Sequence, residues 1–155
     1  MKLIAVAALA GLLIAGCGDK DDESTPVACL KGPVAYEKAL EAAPDEVRLD
    51  GEAPISDCLT PNQKAGDLTR VGEAMVEAAT NLVVQERGEP YQGVAVRIGY
   101  LMGAAQRGAE DTEGIHTDLL RRLTAAARYT VGGQRHSPQF EAEYREGFDA
   151  GRSGG

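Results

Sequence analysis

The chain reads as an all-α protein, a compact bundle of four to five amphipathic helices with one disulfide and a flexible acidic N-terminal tether. Three observations predict this. Apolar residues recur at spacings of three and four through most of the chain, no alternating run is long enough for a credible strand, and proline and glycine punctuate the ends of the periodic runs. With no tryptophan and 5% aromatic residues, the core must come mainly from Leu, Val, Ile, Met and Ala, which suits closely packed helices.

The first helix is expected over residues 33–43. Pro33 fits a first turn, Pro44 closes the run, and Val34, Leu40 and Ala43 are the inward residues. The segment 45–57 holds Gly51 and Pro54, which interrupt regular structure, and Val47-Arg48-Leu49 can form a short extended piece. Thr60-Pro61-Asn62-Gln63 opens the second helix as a capping box, with Thr60 as N-cap and Gln63 at the third position. Leu68, Val71, Met75, Val76, Ala79, Leu82 and Val83 then share one face, and Gly88 and Pro90 end the helix.

The third helix is predicted from Tyr91 to Ala109, with Tyr91, Val94, Ile98, Leu101, Met102, Ala105 and Ala109 buried. Gly99 and Gly103 lie on its flank. Two glycines cost a helix about 2 kcal/mol relative to two alanines, so something must need the space: the backbone of another helix, or a ligand. Arg97 and Arg107 argue against reading this Gly-x-x-x-Gly as a membrane feature. The fourth helix is expected over residues 113–131. Ile115, Leu119, Leu120, Leu123, Ala126, Ala127 and Thr130 make its apolar arc, and Gly132-Gly133 stops it. The fifth starts at Ser137-Pro138, an N-cap followed by proline. Phe140, Tyr144 and Phe148 stand one above the other on it. Gly151 is its expected end, leaving 152–155 as a disordered tail.

Residues 1–17, MKLIAVAALAGLLIAGC, are an address. Lys2 supplies a positive start, and Leu3 to Ala15 is a run of 13 apolar or small residues. A bilayer span needs about 20 residues, whereas an export-signal core has this shorter length. The run ends in Ile14-Ala15-Gly16-Cys17, which resembles the lipobox of bacterial lipoproteins. The resemblance covers the targeting segment alone. It implies diacylglyceryl transfer to the Cys17 thiol and cleavage between Gly16 and Cys17. Residues 1–16 are then a signal peptide, residues 17–28 a lipidated cysteine and acidic linker, and residues 29–151 the helical domain. The implied location is the bacterial cell membrane or outer membrane, with membrane lipid as the partner reached through Cys17. One acyl chain holds a protein to a bilayer marginally and two hold it stably.

With Cys17 so assigned, Cys29 and Cys58 remain. An even pair in an exported chain points to one disulfide, and a loop of 29 residues is worth about 3–4 kcal/mol in the chain-entropy account.

The net charge is −8, and loss of Lys2 with the signal makes it −9. A field of that sign does not attract nucleic acid or anionic lipid. No glycine-rich phosphate loop, no His-Glu-x-x-His and no strand–Ser–helix elbow occurs, so no cofactor, metal or catalytic residue is assigned. His116 falls inside the apolar arc of the fourth helix with Glu113 three residues before it. It reads first as a structural histidine and second as a functional one. His136 sits beside Ser137, but adjacent residues do not make a nucleophile–base pair. Two functional expectations follow. The first is an envelope lipoprotein with a structural or protein-interaction role, its partner an envelope protein and its contact surface the Phe140–Tyr144–Phe148 stripe. The second is a small-ligand-binding or carrier domain with a cleft near Gly99, Gly103 and His116.

Overall fold

The computed structural model describes residues 24–88, 93–128 and 136–155. Among them are five α-helices: α1 (Pro33–Ala39), α2 (Ala65–Gly88), α3 (Val94–Ala109), α4 (Thr117–Ala127) and α5 (Pro138–Gly154). The all-α bundle is therefore the fold. Helix α3 is the central element, packed against α2, α4 and α5, while α1 packs on α2. Residues 1–16, expected to be a signal peptide, and Cys17, Tyr91, Thr130 and Gly132-Gly133 lie outside the described residues.

The folded body starts earlier than residue 29. Thr25 and Ala28 are buried, and residues Val27–Leu30 form a 3₁₀ turn packed on α2. Residues 25–28, expected as part of an acidic linker, thus belong to the folded body. Cys29 and Cys58 form the expected disulfide, with Cα atoms 5.5 Å apart. It ties this first turn to a second 3₁₀ turn, Ile55–Cys58, which sits under the C-terminal half of α3. There a Cβ on Gly108 would meet the Ser56 carbonyl.

Helix α1 ends at Ala39, short of residue 43, and a 3₁₀ turn, Leu40–Ala42, follows it; of the expected inward residues Leu40 is buried but Val34 is not. Val34 is 73% exposed, whereas Tyr36 and Leu40 are sealed. The Tyr36 hydroxyl donates to the Cys29 carbonyl at 3.0 Å, so a residue with a polar tip occupies the core because its tip finds a buried acceptor. Tyr100 does the same from α3, accepting from the Val47 amide at 3.2 Å. The extended piece at Val47–Leu49 becomes a two-residue strand, β1 (Arg48–Leu49), paired antiparallel with β2 (Ala53–Pro54). Asp50 and Gly51 both take positive φ between them, which a hairpin turn of this hand requires.

Two boundaries are corrected. Helix α2 begins at Ala65, and Thr60 does not cap it: the Gln63 side chain points elsewhere, as described below. Helix α4 begins at Thr117, because Glu113 and Gly114 both adopt positive φ and break the helical path. Ile115 is consequently 41% exposed instead of inside the apolar arc. Leu119, Leu123 and Ala127 keep the expected buried positions.

The C-terminus differs most. Residues 152–155 are not a disordered tail: α5 continues through Gly151 to Gly154, and the Gly155 amide donates to the Gly151 carbonyl at 2.9 Å. The Arg107 guanidinium donates to the carbonyls of Arg152 and Ser153, and Arg152 pairs with Glu110. Arg107 thereby satisfies carbonyls that a helix end leaves without intrahelical partners, and the Arg152–Glu110 pair ties the same end to the end of α3.

Candidate functional site

The glycines on α3 are spoken for. A Cβ on Gly99 would lie 2.0 Å from the Tyr144 carbonyl oxygen, and one on Gly103 would lie 2.1 Å from that of Phe148. Helix α5 answers with its own glycines. A Cβ on Gly147 would meet the Val96 carbonyl at 1.9 Å, and one on Gly151 would meet that of Tyr100 at 2.2 Å. The two backbones thus touch along a seam built from Gly99 and Gly103 on one side and Gly147, Gly151 and Gly155 on the other. The cleft expected near Gly99, Gly103 and His116 is not there, because α5 fills it.

His116 stands apart from that seam. It is the residue just before α4, fully buried, and both ring nitrogens are bonded. Nε2 is 2.8 Å from Gln63 Oε1 and Nδ1 is 2.9 Å from the Thr112 hydroxyl. Gln63 Nε2 donates to Thr25 Oγ1 at 2.9 Å and to the Cys58 carbonyl at 2.8 Å. Those two acceptors fix the amide so that its oxygen faces the histidine. His116 Nε2 therefore carries a proton, and the single hydrogen of the Thr112 hydroxyl lies between Nδ1 and the Ala109 carbonyl, 2.8 Å away. Burial lowers the His116 pKa below its ordinary 6.5, which favours the neutral form. Glu113, three residues before it, is not among its partners. Gln63 instead joins Thr25 ahead of the first turn, Cys58 of the second and His116 before α4 at one point.

The third feature is a groove of about 800 Å³ between α4 and α5, with Met102 and Gln106 of α3 in its wall. The stripe of α5 lies along it. Phe140 and Tyr144 have ring centroids 6.3 Å apart and Tyr144 and Phe148 6.2 Å apart, with near-parallel planes. His136 extends the series, stacked on Phe140 at 3.9 Å. Ser137 caps the helix as expected, accepting from the Phe140 amide at 3.1 Å, and so fixes where the series starts. Phe140 is nearly buried, while Tyr144 and Phe148 are half-buried. Thr124, Ala127 and Arg128 of α4 form the opposite side. Burial raises the Tyr144 pKa, with the Arg128 charge opposing. One residue past each ring, Glu141, Arg145 and Asp149 line the outer edge.

The structure brings the glycines and the aromatic stripe together on two adjoining faces of α5 and leaves His116 in a separate network. Sequence reasoning missed the α5 glycines, although Gly147, Gly151 and Gly155 recur every four residues, about a quarter turn from the rings. It also missed Thr25, Gln63 and Thr112 as partners of His116, for which long-range contact is the cause and no local signal exists. No helix among the described residues is long and apolar enough to cross a membrane. Compared with known proteins, the chain matches no family model, no curated protein and no solved structure.

Proposed function

We propose that the chain is an envelope lipoprotein: Cys17 becomes the acylated first residue, and the helical body is held beside a bilayer as a structural or binding module. The single observation that carries this is the position of Cys17. It closes an export-signal run in Ile14-Ala15-Gly16-Cys17, and the other two cysteines are joined to each other, so Cys17 is the one thiol left for modification. The polar stretch between Cys17 and the body suits a tether. A disulfide between two 3₁₀ turns agrees with folding outside the reducing cytosol.

Within this reading, the binding face is the ring-lined groove between α4 and α5. A groove of that volume, apolar on its floor and polar at its edge, has the make-up of ligand and partner sites. The experiment follows the protein through fractionation of the producing bacterium. Wild type is expected in the membrane fraction, with processing blocked by globomycin, and Cys17→Ser in the soluble exported fraction or unprocessed. Equal distribution of both forms, with processing insensitive to globomycin, contradicts the reading.

A further inference from the structure

Two stretches, Pro26-Val27-Ala28-Cys29-Leu30-Lys31 and Pro33-Val34-Ala35-Tyr36-Glu37-Lys38, repeat one pattern, Pro-Val-Ala-x-x-Lys, seven positions apart. The first contains the 3₁₀ turn Val27–Leu30 and the second lies in α1, yet both sort their side chains alike. Cys29 and Tyr36 are sealed, Leu30 and Glu37 are half-buried, and the valine and lysine of each are exposed. Val27 and Val34, at 76% and 73%, are the most exposed large apolar side chains among the described residues. The two stretches are joined: both pack on α2, and the Tyr36 hydroxyl donates to the Cys29 carbonyl. They therefore form one layer, with α2 beneath it and both valines on the outer side. Glu37 turns its carboxylate to α2, where it accepts from Asn81 at 2.7 Å. Lys31 pairs with Asp50 and Lys38 is exposed; lysine stems cover apolar surface while the ammonium stays in water or among headgroups.

The tether enters the body at this layer. Cys17 lies seven residues before Ser24, a reach of about 23–25 Å when extended. A body of this length has a radius of gyration of about 14 Å and so, as a sphere, a diameter of about 36 Å. The tether is thus shorter than the body is wide. A lipid at Cys17 keeps the layer that holds Val27 and Val34 near the bilayer and keeps the opposite pole off it. Two valines with their lysines are too small a surface to draw a free protein to a membrane. The anchor turns their contact into an intramolecular event at high effective concentration.

We infer that these paired stretches are the face that rests on the bilayer entered by the Cys17 lipid, with both valines at the headgroup–acyl boundary and Lys31 and Lys38 among the headgroups. This rests on the lipoprotein reading. Its consequence is orientation. The stretches rest on α2, α2 on α3 and α3 on α5, so α5 is carried on the side of the body away from the lipid.

The chain has no tryptophan, so Val27→Trp, Val34→Trp, Val84→Trp and Ile115→Trp each place a single fluorophore on an exposed apolar site. Each mature chain beginning at Cys17 is coupled through its one thiol outside the disulfide to a maleimide-bearing phospholipid in phosphatidylcholine vesicles, with and without bromine on the upper acyl chains. An apolar face docked at an interface sits about 5–10 Å into the headgroup–acyl boundary, so bromine should lower the emission of the Val27→Trp and Val34→Trp proteins at least about twofold. The Val84→Trp and Ile115→Trp proteins, with the same fluorophore on the same tether, should change little. Adding Val27→Asp to Val34→Trp should remove most of the quenching, with far-ultraviolet circular dichroism unchanged as the check on folding. Equal quenching at all four positions, or none at 27 and 34, overturns the inference. So does a blue shift at 27 and 34 that grows with protein density on the vesicle and ignores bromine, since a second copy then covers the valines. Because the lipid is attached chemically, these results stand apart from whether the cell acylates Cys17, which the mass of the native protein decides.

Discussion

Replacing Gly99 by alanine tests the packing of α5 most sharply, because two effects oppose each other there. In an isolated helix the change adds about 1 kcal/mol of helix propensity. In the folded protein the new methyl would sit 2.0 Å from the Tyr144 carbonyl oxygen and 2.9 Å from the Phe148 amide nitrogen. Both are backbone atoms and cannot rotate away. Ordinary contact needs about 3.4 Å or more, so the helices must part by more than an ångström along the seam. A gap of 0.5–1 Å already forfeits roughly a quarter to a half of each contact's attraction. Overpacking of this kind costs about 1–3 kcal/mol. With the lost contacts of the neighbouring seam glycines, a net loss of roughly 2–4 kcal/mol is expected, a large share of a domain's usual 5–15 kcal/mol. Urea unfolding followed by far-ultraviolet circular dichroism measures it. Gly66→Ala is the control: nothing lies within 4 Å of its added methyl, so it should be neutral or stabilising by up to about 1 kcal/mol. If Gly99→Ala is as stable as Gly66→Ala, α5 does not pack on α3 through this seam.

Further outcomes are expected. Gln63→Ala strands His116 Nε2, Thr25 Oγ1 and the Cys58 carbonyl in the interior, and unfolding should show a loss of about 2–4 kcal/mol. Joint replacement of Cys29 and Cys58 by alanine should lower stability by about 3–4 kcal/mol, read from the same transition. The His116 pKa is lowered in the fold, so the unfolded chain binds the proton more readily; stability should be full above pH 6.5 and decline as pH falls toward the folded pKa. His116→Gln should flatten that decline relative to wild type, and an unchanged pH profile contradicts the placement of the ring. Ser137→Ala should cost about 1 kcal/mol through loss of the α5 cap.

How far the sequence alone reached depends on whether each feature is local. Of the stripe predicted for α3, Val94, Ile98, Leu101, Met102 and Ala105 are buried, a local repeat of three and four; Val96, Tyr100 and Ala104 are buried as well, because α5 covers a face the pattern left open. The Ser137 cap and the stacked rings of α5 were equally legible, being set by neighbours on one helix. The role of Gly99 and Gly103 was visible only as two options, since the deciding partner, the α5 backbone, is about 45 residues away in the chain. Reading Gly151 as a stop signal hid that partner. Propensity favours the stop, but close contact with Tyr100 and Ala104 outweighs it. Thr60 and Gln63 looked like a capping box by spacing. The amide found two stronger calls on its donors and a buried histidine for its oxygen, so tertiary bonding displaced the local motif. Tyr36 replaced Val34 in the core for a similar reason: the Cys29 carbonyl needed a donor.

Whether a lipid on residue 17 carries this helical body is decided by the intact mass of the protein extracted from membranes. A chain starting at Cys17, heavier by a diacylglyceryl group, with no free thiol before reduction and two after it, is the expected result. A mature chain that still bears residues 1–16, or that begins at Cys17 with an unmodified thiol, would contradict it.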